Sequence, residues 1–535
     1  MSEAEPARGA GHQVLSGALT SGVLQIVSAL FFLALTPAIL VHLGIAAYGF
    51  WSLMMTIVRF TLFADFGIGP SVTKHVAESW ANKDRHGVRS AATIGMLYYF
   101  CLSVVVLGVA ALAGPALLSH LKMPAELHRI APAMLLGFTL YFACSLTFWG
   151  SFSATLNGLG LLRLTAFANA VGSITSTATI GFSLAMGFGL KGMLVGSFVQ
   201  VAVAALIGQV AIYRTCGGSL VAPWTLSKSL VRRMLSFGGW VQISTIANLV
   251  NCETPMLILG YFAGVESVAV FDIGSRLARC VKALAFHFNS ALLPAVTAIE
   301  YRHGSVRSRA TIATAHRFLS VTSFAVMGLL VATAPVVLNL WLGNRSVNGP
   351  TLYAVVIAMA GVYLVENFVT VAITGLRGLG RPQFEASYAL VYAGVDLGIS
   401  VLLTPHFGLA GVLAGLGCGV LAGAFSFGYT VVRSGAGSGG ILMGFWIARL
   451  SAATAIAVAV TASRYAVVPL HAAHRMLSLA ALASLGIAYA VTFVAALGAV
   501  RFLTETDLTL VRRILPRRFD PVLAAPLTRK LFGAA

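Results

Sequence analysis

Charge is scarce in this sequence, and negative charge is scarcest. Only 10% of the 535 residues are charged, and 16 acids stand against 35 lysines and arginines. Soluble domains carry about 25% charged residues. With 58% hydrophobic residues and a mean hydropathy of +0.90, the chain is excluded from that class. Cysteine is thin as well. The six (Cys101, Cys144, Cys216, Cys252, Cys280 and Cys418) lie mostly inside apolar runs without paired spacing. That argues against a disulfide framework or a metal site. Long polar connections are also missing. A membrane-embedded sugar transferase or polymerase needs a sizeable outer loop holding paired carboxylates or His. Here there is no nucleophile elbow, metal motif or acidic pair, so the chain is expected not to be an enzyme and to carry no cofactor.

What the chain has in abundance is apolar runs of membrane-spanning length. Bounded by polar or Gly/Pro punctuation, they give fourteen expected helices. These lie at 17–42, 47–69, 90–117, 131–156, 164–187, 191–213, 236–262, 266–297, 312–342, 350–375, 383–405, 408–432, 443–464 and 476–500. The first fifteen residues are polar, with Glu3 and Glu5, and the first apolar run is expected to stay as the first membrane helix. The fold class is therefore an all-α polytopic membrane protein. A net charge of +19 suggests nucleic acid, but its distribution says otherwise. With the amino terminus placed in the cytoplasm, inner segments carry 23 Lys and Arg and outer connections carry 6. This is the positive-inside bias, and it puts both termini in the cytoplasm. No nucleic-acid partner is expected.

The chain also repeats itself. Asn157-Gly-Leu-Gly160 returns as Arg377-Gly-Leu-Gly380, an offset of 220. Phe188-Gly-Leu-Lys-Gly192 returns as Phe407-Gly-Leu-Ala-Gly411, and Tyr213-Arg214 meets Val432-Arg433, both at 219. Pro70 matches Pro294 at 224. Two copies of six helices have the same orientation, since six is even, and are related by an axis along the membrane normal. The expected domains are a first lobe (1–214), a cytoplasmic linker (215–235) and a second lobe (236–433). Helices 13 and 14 follow (434–502), then a basic tail (503–535) laid on the inner leaflet.

Within the apolar segment from Val265 to Glu300 stand Asp272, Arg276, Arg279 and Lys282. The cations step by three residues onto one broad helical face, with Asp272 one turn from Arg276. At ~1.5 Å per residue, Arg276 lies roughly 14 Å down a helix that enters near Ser267, close to the bilayer midplane. Charges at that depth face protein or a water-filled cavity. One reading is an ion pair between Asp272 and Arg276 that holds two helices together; it leaves Arg279 and Lys282 unexplained. The other is a basic cavity for an anionic cargo. Arg59, on the second helix of the first lobe, has its repeat counterpart near Lys282 and supports the cavity. Tyr48, Trp51 and Phe271 are candidates for stacking on a cargo, or for anchoring helix ends at the membrane interface.

Ala47-Tyr-Gly-Phe-Trp51, then Asp65-Phe-Gly-Ile-Gly69 and the polar stretch with Lys74, resemble the opening signature of bacterial polysaccharide flippases. These belong to the multidrug, oligosaccharidyl-lipid and polysaccharide exporter superfamily. Leu257-Ile-Leu-Gly-Tyr-Phe-Ala-Gly264 with Val268-Ala-Val-Phe-Asp-Ile-Gly-Ser-Arg-Leu277 resembles the start of that family's second half. The resemblance implies alternating access by two lobes in the bacterial inner membrane. The cargo it implies is an undecaprenyl-diphosphate-linked oligosaccharide for cell-surface polysaccharide, lipopolysaccharide or exopolysaccharide. Membrane lipids and a polysaccharide polymerase are the partners in view. One departure is that the family often has an acid just before the apolar run into the 260 region. Here Pro255 stands near that place, with Glu253 two residues earlier.

Glu253, Glu366 and Asp396 lie inside apolar runs and are candidates to couple transport to a Na+ or H+ gradient; the other reading is that each neutralises a nearby Arg. Asp65 suits capping or loop packing. Gly187, Gly189 and Gly192 spell GxGxxG, but between two apolar spans rather than after a strand, so no dinucleotide site is read there. His471 and His474 are taken as surface residues. A drug exporter of the same superfamily favours acidic cavities and fits four deep cations poorly. A lipid II-type flippase shares all of this physics.

Overall fold

The computed structural model describes residues 4–217, 228–289, 305–343, 349–378, 383–433, 440–463 and 475–499. The tail from 503, His471, His474, Pro294 and Gly380 lie outside the described residues. Each of the fourteen expected segments overlaps an observed helix. The first two run together in α1 (Ala4–Arg59), broken at Gly44, whose φ of 78° and ψ of 170° are not helical. Only glycine takes that φ without strain, which is why a single residue suffices to separate the first apolar run from the second. A 3-10 turn (Phe60–Ala64) follows. The next helix, α2 (Ile68–Ala81), lies where a polar connection was expected. It is amphipathic: Ile68, Ser71, Val72, His75 and Val76 are buried, while Lys74 and Glu78 are exposed.

Then come α3 (Arg85–Ser119), α4 (Ala125–Cys144), a π-turn (Ser145–Gly150) and α5 (Ser151–Gly158). After these come α6 (Leu162–Ala185), α7 (Gly189–Cys216), α8 (Lys228–Phe262) and α9 (Val265–Asn289). The remaining helices are α10 (Ser305–Leu342), α11 (Gly349–Gly378), α12 (Gln383–Phe407), α13 (Leu409–Arg433), α14 (Gly440–Ser463) and α15 (Arg475–Ala499). Among the described residues nine helical stretches are long and apolar enough to cross a membrane. Leu112, Leu402 and Phe425 point outward with most of their surface exposed, as lipid-facing side chains do.

The chain divides into two compact units interleaved along the sequence: Met1–Ile273 with Glu385–Gly423, and Gly274–Phe384 with Ala424–Ala535. In the first, α2, α3 and α5 share a core of Ile68, Val72, Val76, Val88, Phe152 and Leu156. In the second, α14 and α15 pack on α10 through Leu450, Ala453 and Ala457 against Phe324, Tyr489 and Phe493. Those alanines fall on one helical face. Small residues there let the backbones approach, which is how helices associate where lipid is as apolar as leucine.

Two glycines at the offset of 219 share a backbone conformation. Gly189 and Gly408 both have left-handed φ, +60° and +55°. The connections differ in length: three residues separate α6 from α7, with Gly187 also left-handed at +80°, and Gly408 alone separates α12 from α13. A separate seam joins the α3–α4 connection to the α8–α9 turn. The Lys122 amide donates to the Gly260 carbonyl (3.0 Å) and the Val265 amide donates to the Lys122 carbonyl (3.2 Å). Lys122 Nζ adds a bond to the Phe262 carbonyl at 2.8 Å.

Candidate functional site

Tyr48, Ser52, Thr56 and Arg59 step along one face of α1 at intervals of four, four and three, as a single helical face requires. All but Arg59 are buried. The Tyr48 hydroxyl donates to Asp272 Oδ2 on α9 at 2.8 Å. Ser52 Oγ lies 3.6 Å from Met256 Sδ on α8. Thr56 Oγ1 donates to Glu253 Oε2 at 3.1 Å, and Arg59 Nη1 donates to Glu253 Oε1 at 2.9 Å. Both oxygens of this buried carboxylate are therefore engaged. The guanidinium is not equally enclosed: the Arg59 side chain keeps 45% of its surface exposed, against 8% for Glu253. Close approach is built into the backbone. A Cβ at Gly49 would run into the Val265 carbonyl, so glycine lets α1 lie against the start of α9.

Just below this ladder, the Gln242 amide of α8 fixes the break between α1 and α2. Its Nε2 donates to the carbonyls of Leu62 (2.8 Å) and Phe63 (2.9 Å), and its Oε1 accepts from the Gly67 amide (3.1 Å). Asp65 packs into the same junction and is buried. Tyr48, Trp51 and Phe271 are buried as well, at 0%, 7% and 3% exposure. Packed inside protein, they are neither sugar platforms nor interface anchors here.

The other cations lie further along α9. Lys282 forms an ion pair with Glu366 on α11 and sits 4.7 Å above the Tyr363 ring. Tyr363 and Glu366 are three residues apart and so share a face. Arg279 Nη2 donates to Ser275 Oγ, one turn back, at 3.2 Å. Arg276 is half-buried on the same helix. Close packing again has a glycine behind it: a Cβ at Gly274 would strike Val355 of α11. His316 of α10, which the sequence reading passed over, bonds through Nε2 to the Phe368 carbonyl at 2.9 Å and is buried.

Asp396 belongs to neither pair. Its Oδ1 accepts from Ser400 Oγ at 2.9 Å, one turn along α12. Gly411, Gly415, Gly419 and Gly423 of α13 face this helix, and a Cβ on any of them would meet Thr404, Ser400, Asp396 or Tyr388. The structure thus joins Arg59 to Glu253 and Lys282 to Glu366. Two of the three candidate coupling acids neutralise two of the four candidate cargo cations. Neither pairing was visible in the sequence, because 194 and 84 residues separate the partners.

The helices of the described residues, nine of them long and apolar enough to span a bilayer, define the class: a multi-pass membrane protein. The fold is similar to the lipid II flippase MurJ in an inward closed conformation, with a TM-score of 0.68 at 12% identity, covering 89% of this chain and 98% of that one. It is also similar to an inward-facing multidrug transporter of the MATE family in the MOP superfamily. That match has a TM-score of 0.63 at 16% identity, covering 78% and 95%. At such identities the likeness is one of fold. Among curated proteins, the probable flippase AglR of Haloferax volcanii is 20% identical over 383 residues, 70% of this chain and 75% of that protein. An uncharacterized membrane protein of Methanocaldococcus jannaschii is 23% identical over 187 residues, and the match spans 36% of its length.

The model of the polysaccharide biosynthesis protein family matches residues 14–300, and the chain belongs to that family.

Proposed function

We propose that this flippase carries an undecaprenyl-diphosphate-linked oligosaccharide from the cytoplasmic to the outer leaflet of a bacterial inner membrane by alternating access. Arg59, Arg276, Arg279 and Lys282 receive the diphosphate as it passes. The observation that carries the reading is the Arg59 guanidinium, set well inside an apolar chain and held by a buried acid, yet open on its other side. A diphosphate cannot cross hydrocarbon unaided, since an unpaired ion there is prohibitively unfavourable. Arginine replaces its hydration with charge-assisted, fork-shaped hydrogen bonds. Of the coupling candidates, Glu253 and Glu366 each hold a cation. Asp396, held by a hydroxyl, is the better site for Na+ or H+. Both termini face the cytoplasm, and a polysaccharide polymerase consumes the delivered glycan.

The test is flipping of a fluorescent prenyl-diphosphate oligosaccharide in reconstituted vesicles, read by quenching of the outer leaflet. A hydrogen bond to a charged group contributes about 1.5–3 kcal/mol. Arg276→Ala combined with Arg279→Ala should therefore slow flipping by at least roughly tenfold at unchanged protein level. Full activity in that variant would refute the cationic route. The fold resemblance to MurJ favours a second cargo, lipid II, which shares the diphosphate; offering both cargoes to the same vesicles separates the two. A small organic cation, the cargo of a drug exporter, has no counterpart in these four positive side chains.

A further inference from the structure

The face of α1 that carries Tyr48, Ser52, Thr56 and Arg59 is zipped to α8 and α9 by side chains 194 to 224 residues away. Breaking these bonds parts separate helices; it does not unwind one. We propose that the cargo's diphosphate takes Arg59 away from Glu253, and that loss of this pair releases α1 from α8. Glu253 is then the counter-ion that converts cargo binding into helix separation. The inference rests on the anionic-cargo reading and adds a step to it.

The asymmetry of the pair sets the order of events. Nearly half of the Arg59 side chain is exposed and almost none of Glu253 is. An anion can therefore reach the open edge of the guanidinium, which has five donors in all, without first touching the carboxylate. Once Arg59 turns to phosphate, Glu253 keeps the Thr56 hydroxyl as its remaining contact in the ladder. A buried carboxylate that has lost its cation is strongly unfavourable, and it is relieved by water entering as the helices part. Little else in the ladder opposes this. The Ser52 contact is to a thioether, a weak acceptor, and besides the Thr56 bond to Glu253 the Tyr48–Asp272 bond at the far end joins charge to hydroxyl.

Ser52→Cys places a reporter inside the zipped face, and the full-length chain in detergent is labelled with N-ethylmaleimide. Modification at position 52 is read by mass spectrometry, so the six native cysteines stay in place. The probe is farnesyl diphosphate, with farnesol as control, and binding is followed independently by the shift in thermal unfolding midpoint. Farnesyl diphosphate should raise the midpoint and speed labelling at least fivefold, while farnesol does neither. Adding Glu253→Gln should make labelling fast before any ligand is present. Met256→Cys is the second reporter and should respond alike. A raised midpoint with unchanged labelling at both reporters overturns the coupling role and leaves the cargo reading standing. No midpoint shift overturns both.

Discussion

Arg59 and Lys282 each meet a carboxylate, yet the two pairs are built differently. Arg59 of α1 crosses to Glu253 of α8, where the acid is sealed in and the cation is half open. Lys282 of α9 faces Glu366 of α11 at more even exposure, 30% against 16%, with an aromatic ring beneath it. A guanidinium keeps donors to spare when one nitrogen is engaged, whereas a lysine ammonium is a compact point charge. The first pair is made to exchange partners and the second to hold them.

That contrast can be broken by substitution. The largest effect is expected from Arg59→Ala, which strands Glu253 in a buried site at a cost of about 3 kcal/mol, measured by urea or thermal unfolding in detergent. Glu253→Ala should cost much less, about 1 kcal/mol, because water solvates the half-open Arg59. Equal losses in the two variants would erase the asymmetry. At the second pair, Lys282→Ala and Glu366→Ala should differ little, at about 1–2 kcal/mol each. Thr56→Val removes one hydrogen bond to Glu253 and should cost about 1 kcal/mol. Smallest is Tyr363→Leu, which deletes the ring under Lys282 for about 0.5–1 kcal/mol. If Tyr363→Leu instead outweighed Glu366→Ala, the second pair would be a cation–π site with an incidental acid.

Much of the architecture was legible because it is written locally. Gly44 ends one apolar run, and Gly189 and Gly408 stand at turns between helices, so the helix positions could be read from punctuation. Burial of charge within apolar runs likewise singled out Arg59, Glu253, Lys282 and Glu366. Their pairing was not legible, since nothing near Arg59 in sequence points to a residue 194 positions away. Gln242 escaped notice for the same reason: a lone amide in a helix gives no sign that it clamps three backbone groups of another segment. The helix Ile68–Ala81 was passed over because its polar face outweighs a narrow buried stripe. Tyr48 and Trp51 were misjudged because aromatic rings near a helix end look alike whether they meet lipid, sugar or protein.

Two of the three bonds between Lys122 and the stretch from Gly260 to Val265 run between amides and carbonyls. Nearly any amino acid supplies those groups, although Gly264, at a φ of +89°, keeps a conformation that suits glycine. Proline, lacking the amide proton, would remove one of these bonds at position 122 or at position 265. Two distant parts of the chain are thereby held in register largely by groups that most substitutions leave in place.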